Sequence, residues 1–237
     1  MGNKETHVHK MFSSIAGYYD ALNTLLSFNR DKYWRRFAVS KAGLNSGEKI
    51  LDVATGTGKL ALELADKVGE QGEVIGIDFC QEMLDKAKGN LRKAGCQNVA
   101  LVQANAEALP FPDCIFDCAT AGFVLRNVAD IEQTLQEMTR VLRPTGKLVC
   151  LEFSQPRNRI FRGIYRLYIS GVLPFIGGLL SRNWHAYSYL PRSIVGFPSP
   201  LEVREVMEQT GLRNIAVYPL TFGTVTVYIG NKKFGDD

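Results

Sequence analysis

The sequence predicts an α/β fold: a doubly wound, mostly parallel sheet of seven strands with a reversed final strand, helices ahead of it and a helical insertion late in the chain. Three observations carry this. An apolar strand breaks into a glycine turn and then a helix at Lys49-Ile-Leu-Asp-Val-Ala-Thr-Gly-Thr-Gly-Lys59; strand and helix patterns alternate five times between residues 49 and 153; and two strand patterns, 213–220 and 223–230, are joined by the short turn Thr221-Phe-Gly. Five parallel strands followed by a hairpin give seven, one of them running against the rest.

The glycine turn organises the other elements. Ile50, Leu51, Val53 and Ala54 form the apolar run of a central parallel strand, and Gly56 and Gly58 let the backbone turn sharply and approach a ligand closely. Leu60, Ala61 and Leu64 then share a helical face, so the turn sits at the carboxyl end of a strand, where open α/β sheets bind ligands. Asp78 closes the next strand, 20 residues after Gly58, a position from which an acid takes both hydroxyls of a ribose. Gly56-x-Gly58-x-x-Ala61 also satisfies the dinucleotide fingerprint, so the glycines alone leave a nicotinamide cofactor open. Asp52 separates the two. A carboxylate on the first strand, ahead of Gly56, Thr57 and Gly58, orients the loop and a cationic ligand, whereas a pyrophosphate gains nothing from it. S-adenosyl-L-methionine, with a sulfonium, an amino group and no phosphate, fits better than NAD.

Before the sheet, residues 7–20 read as a helix ending near Gly17 and residues 31–41 as another, with Trp34 and Phe37 on its inner face. These cap helices, within residues 1–45, are expected to cover the cofactor cleft. Tyr18, Tyr19 and Asn23 are placed to touch ligand, and a metal role for His7 and His9 is disfavoured. After Asp78 come a helix over 81–94, a strand over 99–104 and the loop Asn105-Ala-Glu-Ala-Leu-Pro-Phe-Pro112. That loop puts Asn105 and Ala106 beside a purine whose ribose Asp78 holds; the alternative is a polar loop in which Asn105 caps a turn. A strand over 116–121 leads into Gly122-Phe-Val-Leu-Arg-Asn127, then a helix over 131–142, with Arg143-Pro-Thr-Gly146 opening a strand over 147–153.

The composition changes between residues 153 and 201. This segment holds six arginines (Arg157, Arg159, Arg162, Arg166, Arg182, Arg192) and no acid, hence +6, leaving −2 for the rest of a chain whose total is +4. Aliphatic and aromatic residues from Ile164 to Leu180 are interleaved with them. The pattern suggests a helical lid, residues 155–199, that touches an anionic membrane surface or a greasy substrate, or else an insertion whose arginines are merely solvated. Nucleic acid fits less well, because the chain is only mildly basic. A helix over 200–210 precedes the closing hairpin.

At 237 residues and 46% hydrophobic content, a single domain over 1–237 can bury a substantial core. No apolar run reaches the ~18 residues of a membrane span and the first residues lack a signal core, so a cytoplasmic protein is expected. The five cysteines include no Cys-x-x-Cys pair and read as reduced packing residues.

Several stretches together resemble the ubiquinone/menaquinone biosynthesis C-methyltransferase family over essentially the whole chain. Tyr19-Asp-Ala-Leu-Asn23 with Leu26-Ser27 and Trp34 is similar to its first signature. Arg140-Val-Leu-Arg-Pro-Thr-Gly-Lys-Leu-Val-Cys-Leu-Glu-Phe-Ser154 is similar to its second. Asn105 to Pro112, Leu125-Arg-Asn127 and Tyr187-x-Tyr-Leu-Pro-x-Ser193 also match. The chain departs at Lys32 or a neighbour, where the family often has histidine, and at Gly122, where it often has serine, which removes one side-chain contact to the cofactor. The resemblance implies a class I S-adenosylmethionine-dependent methyltransferase that methylates a ring carbon of a polyprenylated quinol, demethylmenaquinol in the first place, with a ubiquinone-pathway benzoquinol or a phytyl-naphthoquinol as alternatives. It implies transient association with the inner face of the membrane, because such a quinol lives there. The oligomeric state is unread, a homodimer being one option. Arg126 is the candidate for stabilising a phenolate-like ring, with a loop-fixing salt bridge as its alternative role, and Glu152 or His185 are candidates for accepting the proton. Tyr19, Asn23 and Tyr187 are the expected acceptor contacts. Two rival classes stand: a nicotinamide oxidoreductase, which needs a hydride-transfer constellation besides the glycines, and a non-catalytic membrane-associated module, which needs no acceptor site.

Overall fold

A computed structural model describes residues 3–175, 177 and 184–233. Seven strands form one sheet: β1 (Lys49–Val53), β2 (Glu73–Asp78), β3 (Val99–Gln103), β4 (Phe116–Gly122), β5 (Leu142–Phe153), β6 (Leu212–Leu220) and β7 (Val225–Lys232), in the order β3-β2-β1-β4-β5-β7-β6. β1 to β5 pair in parallel, and β7 runs antiparallel to both β5 and β6, so β7 is the reversed strand. Between and around them lie α1 (Asn3–Ile15), α2 (Tyr19–Leu26), α3 (Arg30–Ala42), α4 (Lys59–Val68), α5 (Gln81–Lys93), α6 (Ile131–Val141), α7 (Arg159–Leu167), α8 (Trp184–Val195) and α9 (Pro200–Gln209), with a π-helical turn over Tyr168–Val172.

Strand alternation sorts the core onto two faces. Leu51, Val53, Ile75, Ile77, Ala119 and Leu148 meet Leu135 and Met138 of α6 and Val203 and Met207 of α9. Their neighbours Ile50, Val74, Cys118, Val149 and Val227 meet Trp34 and Ala38 of α3 and Leu60, Leu64 and Val68 of α4. Burying both faces in this way is what a parallel sheet requires.

The expected elements form, with shifted boundaries. The amino-terminal cap has three helices where two are expected: α1 ends at Ile15 and α2 begins at Tyr19. Tyr18 precedes α2 without a cap hydrogen bond, so no sequence signal marks its start; Asn29 makes none for α3 either, where Ser27 Oγ accepts from Asp31 N–H instead. β5 begins at Leu142, not Lys147. Its pairing with β4 skips from Phe116↔Leu142 to Cys118↔Lys147, and Arg143-Pro-Thr-Gly146 is absorbed as an irregularity with Thr145 at φ +65°. By contrast α9 opens on Ser199, which accepts from Glu202 N–H while Glu202 accepts from Ser199 N–H, with Pro200 in the first turn, a start legible in the sequence.

Candidate active site

The glycine turn leaves β1 through Ala54, held at φ +52°, a strained region for a residue with a side chain. Gly56 and Gly58 follow at φ +56° and +77°; a Cβ on Gly58 would also meet Ala87 of α5 at 3.2 Å, so the turn needs glycine for both backbone and packing. Asp52, buried on β1, accepts from Thr55 Oγ1 at 2.6 Å and Thr120 Oγ1 at 2.7 Å. It orients the loop, as expected, through Thr55. Asp78 binds the other side of the turn: its two oxygens accept from Gly56 N–H and Cys80 N–H, each at 2.9 Å. Burial pushes both carboxyls up to about 6, against the hydrogen bonds that favour their ionised forms.

Two cavities meet at this turn, sharing Ala54 and Asn127. The smaller, about 70 Å³, is lined by Asp78, Phe79, Asn105, Ala106 and Val8 of α1, so the residues assigned to ribose and purine do come together. Asn105 Oδ1 also accepts from Glu107 N–H at 3.0 Å, the turn-capping role foreseen as its alternative. The larger, about 700 Å³, is lined by Asp52, Gly56, Thr57 and Gly122 on the sheet side, Tyr19 and Asn23 on the cap side, and Arg126 between them. The side chains of Tyr187, His185 and His7, and Arg182 entirely, lie outside the described residues.

Arg126 is buried, with an ion pair to the fully buried Glu152 through Nη1, which also donates to Phe123 O at 2.8 Å. Its guanidinium lies 5.0 Å from the Phe153 ring centroid, a cation–π contact. Glu152 accepts in addition from Arg126 N–H and, at 2.7 Å, from Phe153 N–H, and it does not line the cavity. The salt bridge weighed as Arg126's alternative role therefore exists, and the side chain faces the cavity as well.

Sequence reading missed the clasp between cap and turn. Asp20 of α2 accepts from Thr57 Oγ1 at 2.5 Å and from Asn90 Nδ2 at 3.1 Å, while the same amide donates to Thr57 O at 2.9 Å. Asp20 stood inside a quoted signature, but nothing local marks its partner. Farther along α1, Ser13 donates to Glu82 Oε2 at 3.0 Å and touches His9 Nδ1 and Cys80 Sγ. His9, Cys80 and Glu82 are, among the described residues, the one group of metal-ligating type, their ligand atoms within 4.8 Å of one another; Glu82 is exposed and Ser13 already joins all three.

The walls suit S-adenosylmethionine and not a pyrophosphate. Three carboxylates, Asp20, Asp52 and Asp78, surround the glycine turn, and Lys59 Nζ is 3.8 Å from Asp20, leaving an environment for a cation at the larger cavity and hydroxyl acceptors at the smaller. A Tyr-x-x-x-Lys spacing of the nicotinamide type does occur at Tyr228 and Lys232, but on β7: Tyr228 is wholly in the core, and Lys232 Nζ donates to Leu142 O and Arg140 O at the amino end of β5, the end of the strand away from the glycine turn.

The model of the ubiE/COQ5 methyltransferase family matches residues 1–232. The chain is 41% identical to the demethylmenaquinone methyltransferase of Anoxybacillus flavithermus, covering 98% of each. It is 46% identical to the ubiquinone/menaquinone biosynthesis C-methyltransferase UbiE of Geobacter sulfurreducens, covering 97% of this chain and 90% of that one. In fold it is similar to a SAM-dependent methyltransferase from Aquifex aeolicus (TM-score 0.66, 21% identity, 90% and 97% of the two chains). It is also similar to the Haemonchus contortus phosphoethanolamine N-methyltransferase 2 in complex with S-adenosyl-L-methionine (TM-score 0.58, 14% identity, 80% and 50%). Fold and site define a class I methyltransferase, an enzyme whose methyl donor is S-adenosyl-L-methionine. The chain belongs to the ubiE/COQ5 methyltransferase family.

Proposed function

We propose that this protein, acting as one methyltransferase domain, C-methylates the ring of a polyprenylated quinol, demethylmenaquinol foremost. The observation that carries the reading is the larger cavity: an apolar chamber with one buried guanidinium beside the glycine turn. Its wall of Met11, Phe12, Ile15 and Leu26 from the cap and Leu173 from the late insertion suits a prenyl chain, and Arg126 suits the oxygen of a ring that must carry negative charge to attack through carbon. When bound, S-adenosylmethionine supplies a methyl group on a positively charged sulfur. Asp52, Thr55 and Gly56 hold the donor side, and Tyr19, Asn23 and Tyr187 are assigned to the acceptor. Arg126 stabilises the phenolate; Glu152, satisfied by three donors and away from the cavity wall, fixes Arg126 and does not take the proton. Holding the reactants in line contributes several kcal/mol more, on the order of 7 or above for ideal orientation.

The acceptor enters from the membrane. α7 buries none of its residues, and Ile160, Ile164 and Leu167 are 74%, 60% and 74% exposed at a helical spacing, flanked by Arg159, Arg162 and Arg166. Phe28, 76% exposed, lines the cavity and packs against Tyr168 on the same rim. A cytoplasmic enzyme docking transiently on the inner face of an anionic bilayer fits this surface. Because relatives carry both names, the acceptor test runs two quinols. Purified protein with S-adenosylmethionine and either a demethylmenaquinol or a ubiquinone-pathway benzoquinol is analysed by mass spectrometry and NMR. Methylation of the naphthoquinol ring carbon is expected; methylation on oxygen, or none on either quinol, overturns the reading.

A further inference from the structure

Four tyrosines line the larger cavity: Tyr19, Tyr165, Tyr168 and Tyr189. Three have hydroxyl partners. Tyr19 bonds Asn23, Tyr168 donates to Leu26 O at 2.7 Å and Tyr189 to Asn127 Oδ1 at 3.3 Å. Tyr165 Oη has no partner among the described residues, and neither has Arg126 Nε, although both atoms are buried. Folded proteins rarely leave buried donors unsatisfied, and those that persist are explained most directly by a group that arrives later. Arg126 is close enough for its charge to act on the Tyr165 phenol, while burial keeps that phenol protonated and so a donor. Tyr165 also belongs to a segment that can adjust: α7 has no buried residue, and the π-helical turn following it is a form that recurs at functional sites.

We propose that Tyr165 is an acceptor-binding residue whose hydroxyl donates to the same ring oxygen that Arg126 faces, so that the two form a pair of donors for the ionised quinol. This rests on the quinol reading above. Among the described residues, the free protein carries three orphaned donors along this cavity, Tyr165 Oη, Arg126 Nε and Arg35 Nε of α3, and the bound ring oxygen satisfies the first two. The enzyme thereby selects acceptors that carry an ionisable ring oxygen.

The test is Tyr165→Phe, which removes only the hydroxyl, assayed on a short-tailed soluble demethylmenaquinol analogue so that membrane docking does not enter. Expected are an unchanged or higher Tm, unchanged S-adenosylmethionine affinity by calorimetry, and KM for the quinol raised about 10- to 100-fold, the worth of one hydrogen bond to a charged group. The rising limb of the activity–pH profile moves to higher pH, because the phenolate has lost a donor. A variant with wild-type KM and pH profile overturns the proposal. So does one that loses Tm and cofactor affinity together, since the hydroxyl would then be structural. If the wild type methylates no quinol, the quinol reading itself fails, an outcome distinct from a wild type that methylates and a variant that equals it.

Discussion

Removing the charge of Arg126 leaves Glu152 fully buried with only two backbone N–H donors, so Arg126→Gln is expected to lose about 3–5 kcal/mol of stability as well as activity. Pairing it with Glu152→Gln separates the effects: the double variant regains most of the Tm, while methyl transfer stays down by orders of magnitude if Arg126 stabilises the transition state. Recovery of both would make Arg126 a loop anchor only. The two buried aspartates make a second prediction. Both ionise near pH 6 because burial disfavours their charge, so between about pH 4 and 6 the folded protein holds protons that the unfolded chain has released. Stability of the free enzyme therefore falls as pH rises through that window, by as much as ~3 kcal/mol per group. Binding of a sulfonium with hydroxyls for Asp78 favours the ionised forms, so S-adenosylmethionine affinity should rise from pH 5 to 7, and Asp52→Asn should flatten that rise. Calorimetry at the two pH values decides it; affinity independent of pH would remove both aspartates from the donor site.

The cap is an element-scale device. Its hold on the glycine turn runs through Asp20, with Ser13–Glu82 and Trp34 Nε1 to Thr221 Oγ1 at 2.8 Å as further ties. Asp20→Asn weakens the bond to Thr57 while keeping the shape, and is expected to speed S-adenosylmethionine release about tenfold with a loss of no more than ~1 kcal/mol in global stability. An unchanged release rate in stopped-flow displacement would mean that α2 does not gate the site. This clasp also shows what the sequence could reveal. Asp52, Gly56, Gly58 and Asp78 were legible because their jobs are set by strand ends and turn geometry a few residues away. Asn105 and Ala106 followed from their place after the third strand, whereas Arg126 was singled out only with the family resemblance. Asp20 and Asn90 were not legible, since they meet Thr57 from 37 and 33 residues away, and nothing set Tyr165 apart from the other apolar residues of the lid, because its distinction is a missing partner. α2 was missed for a local reason: Tyr18 gives it no cap bond, whereas the helix expected over 200–210 forms as α9 behind the capping box of Ser199.

On α7, exposed Ile160, Ile164 and Leu167 alternate with Arg159, Arg162 and Arg166, beside the Tyr165 and Tyr168 that line the cavity. Each arginine near an anionic bilayer contributes about 1 kcal/mol within a Debye length of ~8 Å at physiological salt. The protein should therefore sediment with anionic liposomes, come off when salt is raised, and lose the association when Arg159, Arg162 and Arg166 become Gln. Should that triple variant keep full turnover on membrane-embedded quinol but lose it on a short-tailed soluble one, the arginines belong to the head-group site and docking is wrong. No described helix is long and apolar enough to cross a membrane. The strand order has a bearing on how the protein is made. β7, the last strand in the chain, is not at the edge; it lies between β5 and β6 and pairs with both. A ribosome-bound chain short of residue 232 thus holds β6 with nothing to pair to and leaves the outer side of β5 open, and Trp34 still awaits Thr221. The sheet is complete only once residue 232 has been synthesised, so a shorter nascent chain presents an unfilled slot in its sheet, the kind of exposed edge that holdase chaperones shield and that a stalled or truncated message would leave open to aggregation.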